Sequence, residues 1–403
     1  MKLALVMVGL PARGKTYTAR KIARFLSWRG IRTQVFNVGN YRRNLSGAKV
    51  PHLFFDPKNG SGMEARRQAA QAGLEDMLDW FAAEGEVGIY DATNSTRKRR
   101  DWVKSVLNDK GIEVTFLESI CDDTSIIESN IRATKVSSPD YVGIDEDSAV
   151  SDFRARIEHY VSVYETIDNP NDSWIKMIDA GRQVIVNRLN GYLQTRIAAF
   201  VMNLHLVPRP LWLSRHGQSL YNVDNKVGGN PSLSKAGVLY AQSLVQFMSD
   251  KPVQEIWTST LQRTIQTAAG LSLPIKEWKL LDEIHAGICD GMSYADIERD
   301  LPDVHRARQA DKLRYRYPQG ESYEDVIERL EPVIFALEHR REPLLVVAHQ
   351  AVLRAVYAYF TEQPRESCPY LSIPLHTVIQ LIPQTYGCVE MRFALPPHMS
   401  EGI

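Results

Sequence analysis

A chain of 403 residues is too long for one ordinary hydrophobic core, because single cores stop growing beyond about 250 to 300 residues, so two domains of roughly 200 residues are expected. Its 48 basic and 48 acidic residues cancel, which excludes a global field for nucleic acid or an anionic membrane; any anion has to be bound locally. Cys121, Cys289, Cys368 and Cys388 lie far apart with no CxxC pair, an arrangement that argues against a disulfide framework or structural zinc and for a reducing, cytoplasmic location.

The apolar run Leu3 to Leu10 is short, has no small-residue cleavage site and leads straight into Gly-Lys-Thr, so it reads as a buried first strand and not a signal peptide. No run reaches the roughly 18 to 20 apolar residues of a membrane span. Strand-like runs recur at 3–8, 33–38, 87–91 and 113–119, with helical periods at 15–29, 64–83 and 97–109 between them. That alternation predicts an α/β domain, a mainly parallel sheet covered by helices. Directly after the first strand, Gly9-Leu-Pro-Ala-Arg-Gly14-Lys15-Thr16 fits the pattern GxxxxGK[ST]. Main-chain N–H groups of such a loop converge on phosphate, Lys15 neutralises the β- and γ-phosphates, and the Thr16 hydroxyl ligates magnesium. The strand at 87–90 ends in Asp91 at the carboxyl edge of the sheet, as a partner for magnesium or as a group orienting an attacking hydroxyl. Arginines gather near loops at Arg42 and Arg43, Arg66 and Arg67, and Arg97 to Arg100, a supply of guanidinium for a phosphorylated small acceptor. After the turn at Ser138-Pro-Asp140, an amphipathic stretch over 146–167 is a candidate lid.

Val207-Pro-Arg-Pro210 punctuates the chain and Leu211 to Ser214 begins a new first strand, which divides it into domains 1–206 and 207–403. Strands follow near 254–258, 344–348 and 377–382, helices near 234–249, 323–341 and 350–361, and 396–403 is expected to fray. This second domain is again a mainly parallel sheet covered by helices. The first strand ends in Arg215-His216-Gly217, with Asn222 shortly after. A neutral imidazole attacks phosphorus well, and water can later attack the phosphoramidate, which divides one difficult hydrolysis into two steps. Arg215 and Arg263 supply positive charge, Glu283 is a candidate acid for the departing alkoxide, and His349 at another strand end is a second histidine able to stabilise the phosphoryl group when protonated.

The motifs Val8 to Tyr17, Val35-Phe-Asn-Val-Gly39, Tyr41-Arg42-Arg43, Asp91 to Arg100, Glu118-Ser-Ile-Cys121, Asn130 to Lys135, Ser138-Pro-Asp-Tyr141 and Arg156-Ile-Glu-His-Tyr160 resemble the kinase half of the 6-phosphofructo-2-kinase/fructose-2,6-bisphosphatase family. Trp257-Thr-Ser, Arg263 to Thr267, Tyr315 to Tyr323, His349 to Arg354 and Pro374-Leu-His-Thr-Val378 resemble its bisphosphatase half. The resemblance implies a P-loop kinase fold followed by a histidine-phosphatase, phosphoglycerate-mutase-like fold. It implies that Gly9, Gly14, Lys15, Thr16, Tyr17, Asn130 and Lys135 hold ATP, with Lys15, Asp91 and Cys121 in the catalytic centre. Arg42, Arg66, Thr93, Arg99, Lys135, Arg156 and Tyr160 would hold fructose 6-phosphate. In the second half His216, Glu283 and His349 would be catalytic, and Arg215, Asn222, Gly228, Arg263, Tyr294, Arg308, Lys312, Tyr323, Gln350 and Arg354 would bind the bisphosphate. ATP and Mg2+ belong to the kinase half alone, with no metal in the phosphatase half, and a homodimer follows from the resemblance.

Four positions depart from the family pattern: His159 beside the substrate tyrosine, His285, and the pair Asp290-Gly291 near Glu283. The chain starts at its first strand and stops soon after its last, so control by phosphorylated tails is not expected. Two rivals are a nucleic-acid end-healing kinase/phosphatase, disfavoured by the neutral charge and the lack of an aromatic-basic face, and a metabolite-binding scaffold whose catalysis has decayed.

Overall fold

The computed structural model describes residues 2–137, 139–204, 209–384 and 387–395, the side chains of 133–137 excepted. The boundary expected at 207, Ser138, the Lys135 side chain and the tail 396–403 lie outside the described residues. The chain forms two compact units, Met1–Leu204 and His205–Ile403.

The first unit is built on six strands in the order β2-β3-β1-β4-β5-β6: β1 Leu3–Val8, β2 Thr33–Asn37, β3 Val87–Asp91, β4 Glu113–Ile120, β5 Ser173–Ile178 and β6 Gln183–Asn187. All pairings are parallel except that of β5 with β6. Every residue of β1 is buried, as a strand flanked by parallel neighbours and covered on both faces must be, and this is why it reads as one unbroken apolar run. Helices α1 Lys15–Trp28, α2 Val38–Ser46, α3 Gly60–Ala82, α4 Arg97–Asn108, α5 Thr124–Ser137, α6 Glu146–Val161 and α7 Tyr192–Met202 surround the sheet. One core beneath them joins Val6 and Val8 to Phe36, Leu74, Phe81 and Phe116. The candidate lid is α6, started by Asp145, whose carboxylate accepts from the N–H groups of Asp147 and Ser148. It packs Val150 and Phe153 against Ile131 and Tyr141.

The second unit has the order β12-β11-β7-β10-β8-β9, with β7 Leu211–Arg215, β8 Glu255–Thr258, β9 Ile275–Glu277, β10 Leu344–Ala348, β11 Thr377–Pro383 and β12 Cys388–Ala394. The four central and edge strands β7, β10, β8 and β9 are parallel, and β11 and β12 are antiparallel. Its helices are α8 Leu220–Val223, α9 Lys235–Met248, α10 Gln262–Ala268, α11 Tyr294–Asp300, α12 Pro302–Ala310, α13 Tyr323–Arg329, α14 Glu331–His339 and α15 Gln350–Phe360. Both sheets are thus mainly parallel and helix-covered, as the alternation predicts. The single helix expected over 323–341 is instead two, α13 and α14, because Pro332 has no N–H to continue a ladder and belongs in the first turn of a new helix. Strands β5, β6, β9 and β12 were not expected: β6 and β9 are largely exposed edge segments without an apolar run, and β12 carries Glu390 and Arg392.

Candidate functional sites

After β1 the chain turns through Gly9 at φ 138°, Ala12 at 58° and Gly14 at 78° before α1 begins at Lys15. Position 9 requires glycine, since a Cβ there would lie 2.5 Å from the Ser119 carbonyl oxygen. The loop is fastened from outside: the Gly9 N–H donates to Thr93 O at 3.0 Å, Asn130 Nδ2 donates to Ala12 O at 3.0 Å, and the Ser119 hydroxyl donates to Arg13 O. No side chain caps α1, which leaves its first N–H groups and its positive end for an anion. Lys15 is buried and donates from Nζ to Leu10 O at 2.6 Å; burial pushes its pKa down to about 8, with Asp91 acting in the opposite sense. At the end of β3, Asp91 is buried, accepts from Asn37 Nδ2 at 2.5 Å and hydrogen-bonds the Thr16 side chain. Burial draws its pKa up while Thr16, Lys15 and Asn37 oppose that. A main-chain cradle that requires glycine at position 9, with a lysine, a threonine and a carboxylate around it, fits a nucleotide triphosphate with one divalent cation. Tyr17 lies beneath the Lys21 ammonium, 5.0 Å from its ring centre. Cys121 is buried, its Sγ 4.0 Å from Asp123 O, and burial pushes the thiol pKa up, which leaves a neutral group.

Two of the arginines, Arg42 and Arg156, meet over one ring. Arg156 lies 3.7 Å and Arg42 5.7 Å from the Phe55 ring centre, and the Tyr160 ring is 6.1 Å away. Arg42 pairs with Asp140 Oδ2 at 2.6 Å, and Arg156 reaches the same oxygen at 3.4 Å. Arg66 donates to the carbonyls of Gly62, Phe55 and Asp56 at 3.1, 3.2 and 3.4 Å. Arg99 stacks over Trp102 at 4.6 Å, and its pKa is lowered by burial and by the nearby Arg66 and Arg67 charges. Arg156 also bears on Lys15, so the arginine cluster and the phosphate loop share one field. Arg97 pairs with Asp168 on the surface, and Arg100 donates to the carbonyls of Asn94, Glu165 and Thr166. Phe55 and Asp140 organise this cluster; Phe55 stands in no motif of the sequence, and Asp140 stands in one, Ser138-Pro-Asp-Tyr141, that gave it no role.

In the second unit β7 ends at Arg215 and delivers His216, which is 3% exposed. Its Nδ1 is 2.7 Å from Gly217 O. A carbonyl can only accept, so Nδ1 carries the proton and Nε2 keeps its lone pair. Burial first, then the Arg263 charge, holds the His216 pKa well below the ordinary imidazole value. The backbone around it is pinned: His216 N–H to Ala348 O at 3.0 Å, Gly217 N–H to Thr267 Oγ1 at 2.9 Å, and Gln218 N–H to His376 Nε2 at 3.3 Å. The His349 ring centre is 5.1 Å from that of His216. His349 Nε2 bonds Ser259 Oγ at 2.7 Å, and its buried Nδ1 has no partner among the described residues.

Arg215 donates to Ile373 O at 3.1 Å and burial brings its pKa down to about 10; Arg263 donates to Gly229 O at 2.8 Å. The Glu283 carboxylate accepts from the N–H groups of Ile284, Gln350 and Ala351 at 2.9, 3.1 and 3.2 Å, a cap on α15 that also acts electrostatically on Arg215 and Arg263. A cavity of about 560 Å³ is lined by His216, Arg215, Arg263 and Glu283 together with Asn222, Gly228, Tyr294, Arg308, Lys312, Tyr323, Gln350 and Arg354. Arg354 donates to the Tyr323 hydroxyl at 3.0 Å and to Leu371 O at 2.7 Å. Lys312 donates to Pro369 O at 3.1 Å, and burial with Arg308 and Arg354 pushes its pKa down to about 8. Of the departures, His285 Nδ1 accepts from Gly287 N–H at 3.3 Å within its own turn, and Asp290 Oδ1 accepts from Gly229 N–H at 2.8 Å beside the Arg263 anchor. His376, Ser259 and Thr267 fall inside motifs that carry the resemblance, but sequence reasoning gave none of them a role; each acts through a contact between distant segments, which a local pattern does not show.

Among the described residues no group of three or more His, Cys, Asp or Glu could hold a metal, and no helix is long and apolar enough to cross a membrane. No disulfide joins the cysteines among the described residues.

The family model of 6-phosphofructo-2-kinase matches residues 1–208, and that of the histidine phosphatase superfamily (branch 1) matches residues 211–395. An Arabidopsis thaliana relative, 6-phosphofructo-2-kinase/fructose-2,6-bisphosphatase, is 48% identical over 98% of this chain, which spans just over half, 54%, of that relative's length. A Macaca fascicularis relative, 6-phosphofructo-2-kinase/fructose-2,6-bisphosphatase 4, is 47% identical over 96% of this chain and 84% of its own. The fructose-2,6-bisphosphatase of Saccharomyces cerevisiae is 46% identical over 96% and 87%. The solved structure of a mycobacterial glucosyl-3-phosphoglycerate phosphatase covers 46% of this chain and 99% of its own, with 26% identity and a TM-score of 0.42.

Proposed function

The chain belongs to the bifunctional 6-phosphofructo-2-kinase/fructose-2,6-bisphosphatase family and carries both halves of it, and on that premise we propose which residues perform each reaction. In the kinase half, the loop Gly9 to Thr16 and Lys15 hold the triphosphate of ATP, and Thr16 with Asp91 holds Mg2+. The cation, when bound, neutralises charge on the β- and γ-phosphates. Arg42, Arg66, Arg99, Arg156 and Tyr160 hold fructose 6-phosphate, with Lys135 and the segment at Thr93 completing the pocket. The 2-hydroxyl oxygen bonds to the γ-phosphorus as the bond to the bridging oxygen breaks; ADP departs and the hydroxyl proton passes to solvent. Lys15 and the arginines stabilise this transfer electrostatically, which for phosphoryl transfer is most of the catalysis. Cys121 contributes shape at the end of β4.

In the phosphatase half, His216 Nε2 attacks the 2-phosphate of fructose 2,6-bisphosphate and Glu283 protonates the departing sugar oxygen. Water, deprotonated by Glu283, then attacks the phosphorus of phospho-His216 and releases phosphate and free imidazole. Arg215, Arg263 and His349 stabilise the transferring phosphoryl group. Tyr294, Arg308, Lys312, Tyr323, Gln350 and Arg354 hold the rest of the substrate, with Asn222 and Gly228 closing the pocket. No metal takes part. The observation that carries this reading is the Nδ1 contact of His216 with Gly217 O at 2.7 Å, which presents Nε2 as the free nucleophile. Acid quenching with fructose 2,6-bisphosphate labelled at the 2-phosphate tests it: acid-labile protein-bound label should form in the wild type and vanish in His216→Ala, and label that persists overturns the assignment. The same reading places the chain in the cytoplasm as a homodimer, so sedimentation at the mass of one chain, 45.7 kDa, would refute the dimer.

A further inference from the structure

His159, the residue that departs from the family pattern beside Tyr160, has a partner. Its Nε2 lies 3.1 Å from His52 Nδ1, with the rings stacked at 5.4 Å and 13°. His52 opens the short 3-10 turn His52–Phe55, whose last residue is the ring under Arg156. His159 belongs to α6, which also carries Arg156 and Tyr160. Asp152, Arg156, His159 and Tyr160 fall at i, i+4, i+7 and i+8, so they share one helical face. That face grips the turn at both ends: Asp152 Oδ1 accepts the His52 N–H at 2.9 Å, and the Phe55 ring is covered by Arg156. The far side of the turn is the acceptor for Arg66, through Phe55 O at 3.2 Å and Asp56 O at 3.4 Å.

We propose that His52 and His159 are a positioning pair for the sugar-phosphate site: their hydrogen bond fastens the Phe55 turn to α6, and so sets the distance between Arg66 on one side of the pocket and Arg156 and Tyr160 on the other. The pair does not touch substrate. It acts through Phe55, whose ring orients Arg156 and whose carbonyl orients Arg66. One imidazole donates and the other accepts, so a neutral amide that reaches the same point can replace either ring.

This rests on the assignment of that pocket to fructose 6-phosphate, and the test separates the two ideas. In the full-length protein, His159→Ala should raise the KM for fructose 6-phosphate about tenfold, the size of one lost hydrogen bond that orders a site. The KM for ATP and the rate of fructose 2,6-bisphosphate hydrolysis should stay within about twofold, since neither site contacts the pair. His159→Gln, whose amide nitrogen falls near the imidazole Nε2, should restore the fructose 6-phosphate KM to within about twofold. Amide hydrogen exchange over 52–56 should quicken in His159→Ala and return to the wild-type rate in His159→Gln. A Gln variant as impaired as the Ala variant overturns the proposal, as does faster exchange with an unchanged KM, which makes the pair structural alone. Unchanged exchange in His159→Ala overturns it too. A wild-type protein that does not phosphorylate fructose 6-phosphate removes the pocket assignment and with it the positioning role, while the exchange still reports whether the pair fastens the turn. His52→Asn, whose amide nitrogen falls near the imidazole Nδ1 that makes this contact, should behave as His159→Gln does, and a loss of hydrolysis in any variant identifies a folding defect.

Discussion

One carbonyl decides the chemistry of His216. By accepting the Nδ1 proton, Gly217 O leaves Nε2 bare, and burial beside Arg263 keeps the ring from taking a second proton. The folded pKa lies well below the ordinary 6.5, so the neutral, nucleophilic form persists as pH falls through that value. Phosphoenzyme formation followed by rapid quench should therefore hold its rate from pH 8 down past 6.5, and a rate that halves near 6.5 would show an exposed, protonatable ring. Lys312 works in the opposite direction. Burial and the Arg308 and Arg354 charges lower its pKa to about 8, so its cation is fully present below that pH and disappears as pH rises through it. The KM for fructose 2,6-bisphosphate should climb between about pH 8 and 9, and Lys312→Arg, which stays charged, should flatten that climb. A KM flat to pH 10 in the wild type would mean that Lys312 does not hold the substrate.

At the scale of elements, the nucleophile loop is set by how closely helix α9 approaches it. A Cβ on Gly237 would lie 2.1 Å from Gln218 O, and one on Gly217 would lie 2.5 Å from Gly237 O, so two glycines let the backbones touch. Gly237→Ala must separate them, at about 1–3 kcal/mol of overpacking, and it drags the Gln218 amide from His376 Nε2. We expect the kcat for hydrolysis to drop about tenfold or more while kinase activity is unchanged, for a displacement of a few tenths of an ångström at the nucleophile; unchanged hydrolysis would show that the loop is held elsewhere. Such a contact is invisible in sequence, since nothing local distinguishes Gly237 from a turn glycine. The phosphate loop was legible because its eight residues are contiguous and lie between a buried strand and a helix, so pattern and context coincide. The arginine clusters could be read as a supply of guanidinium from the residues alone, but the choice among them came only through the resemblance. The pocket's organisers come from two distant segments, the turn His52–Phe55 and Asp140, and the pairing of Arg42 with Asp140 spans 98 residues. Strand β6 escaped because its pattern is largely exposed, and the break between α13 and α14 was missed because the apolar period runs on through Pro332.

For the molecule as a whole, the decisive feature is that the two sites belong to separate compact units of one polypeptide, so the ratio of the two enzymes is fixed at one to one and only their rates can be adjusted. With ATP and fructose 6-phosphate supplied, the wild type should raise fructose 2,6-bisphosphate to a plateau at which synthesis equals hydrolysis, while ATP continues to be consumed. Lys15→Met removes the buried ammonium proposed to hold the triphosphate, and the substitution lies outside the second unit. It should give no detectable synthesis with hydrolysis within about twofold of wild type, as expected for sites that share no partners. His216→Ala should do the reverse: the product should rise past the wild-type plateau until one substrate is exhausted, and ATP consumption should then stop. A coupled assay of ADP release run beside a measurement of fructose 2,6-bisphosphate distinguishes these three time courses. If Lys15→Met depressed both activities equally, the two sites would not be independent machines, and the plateau would reflect one shared step instead of a balance between two opposed ones.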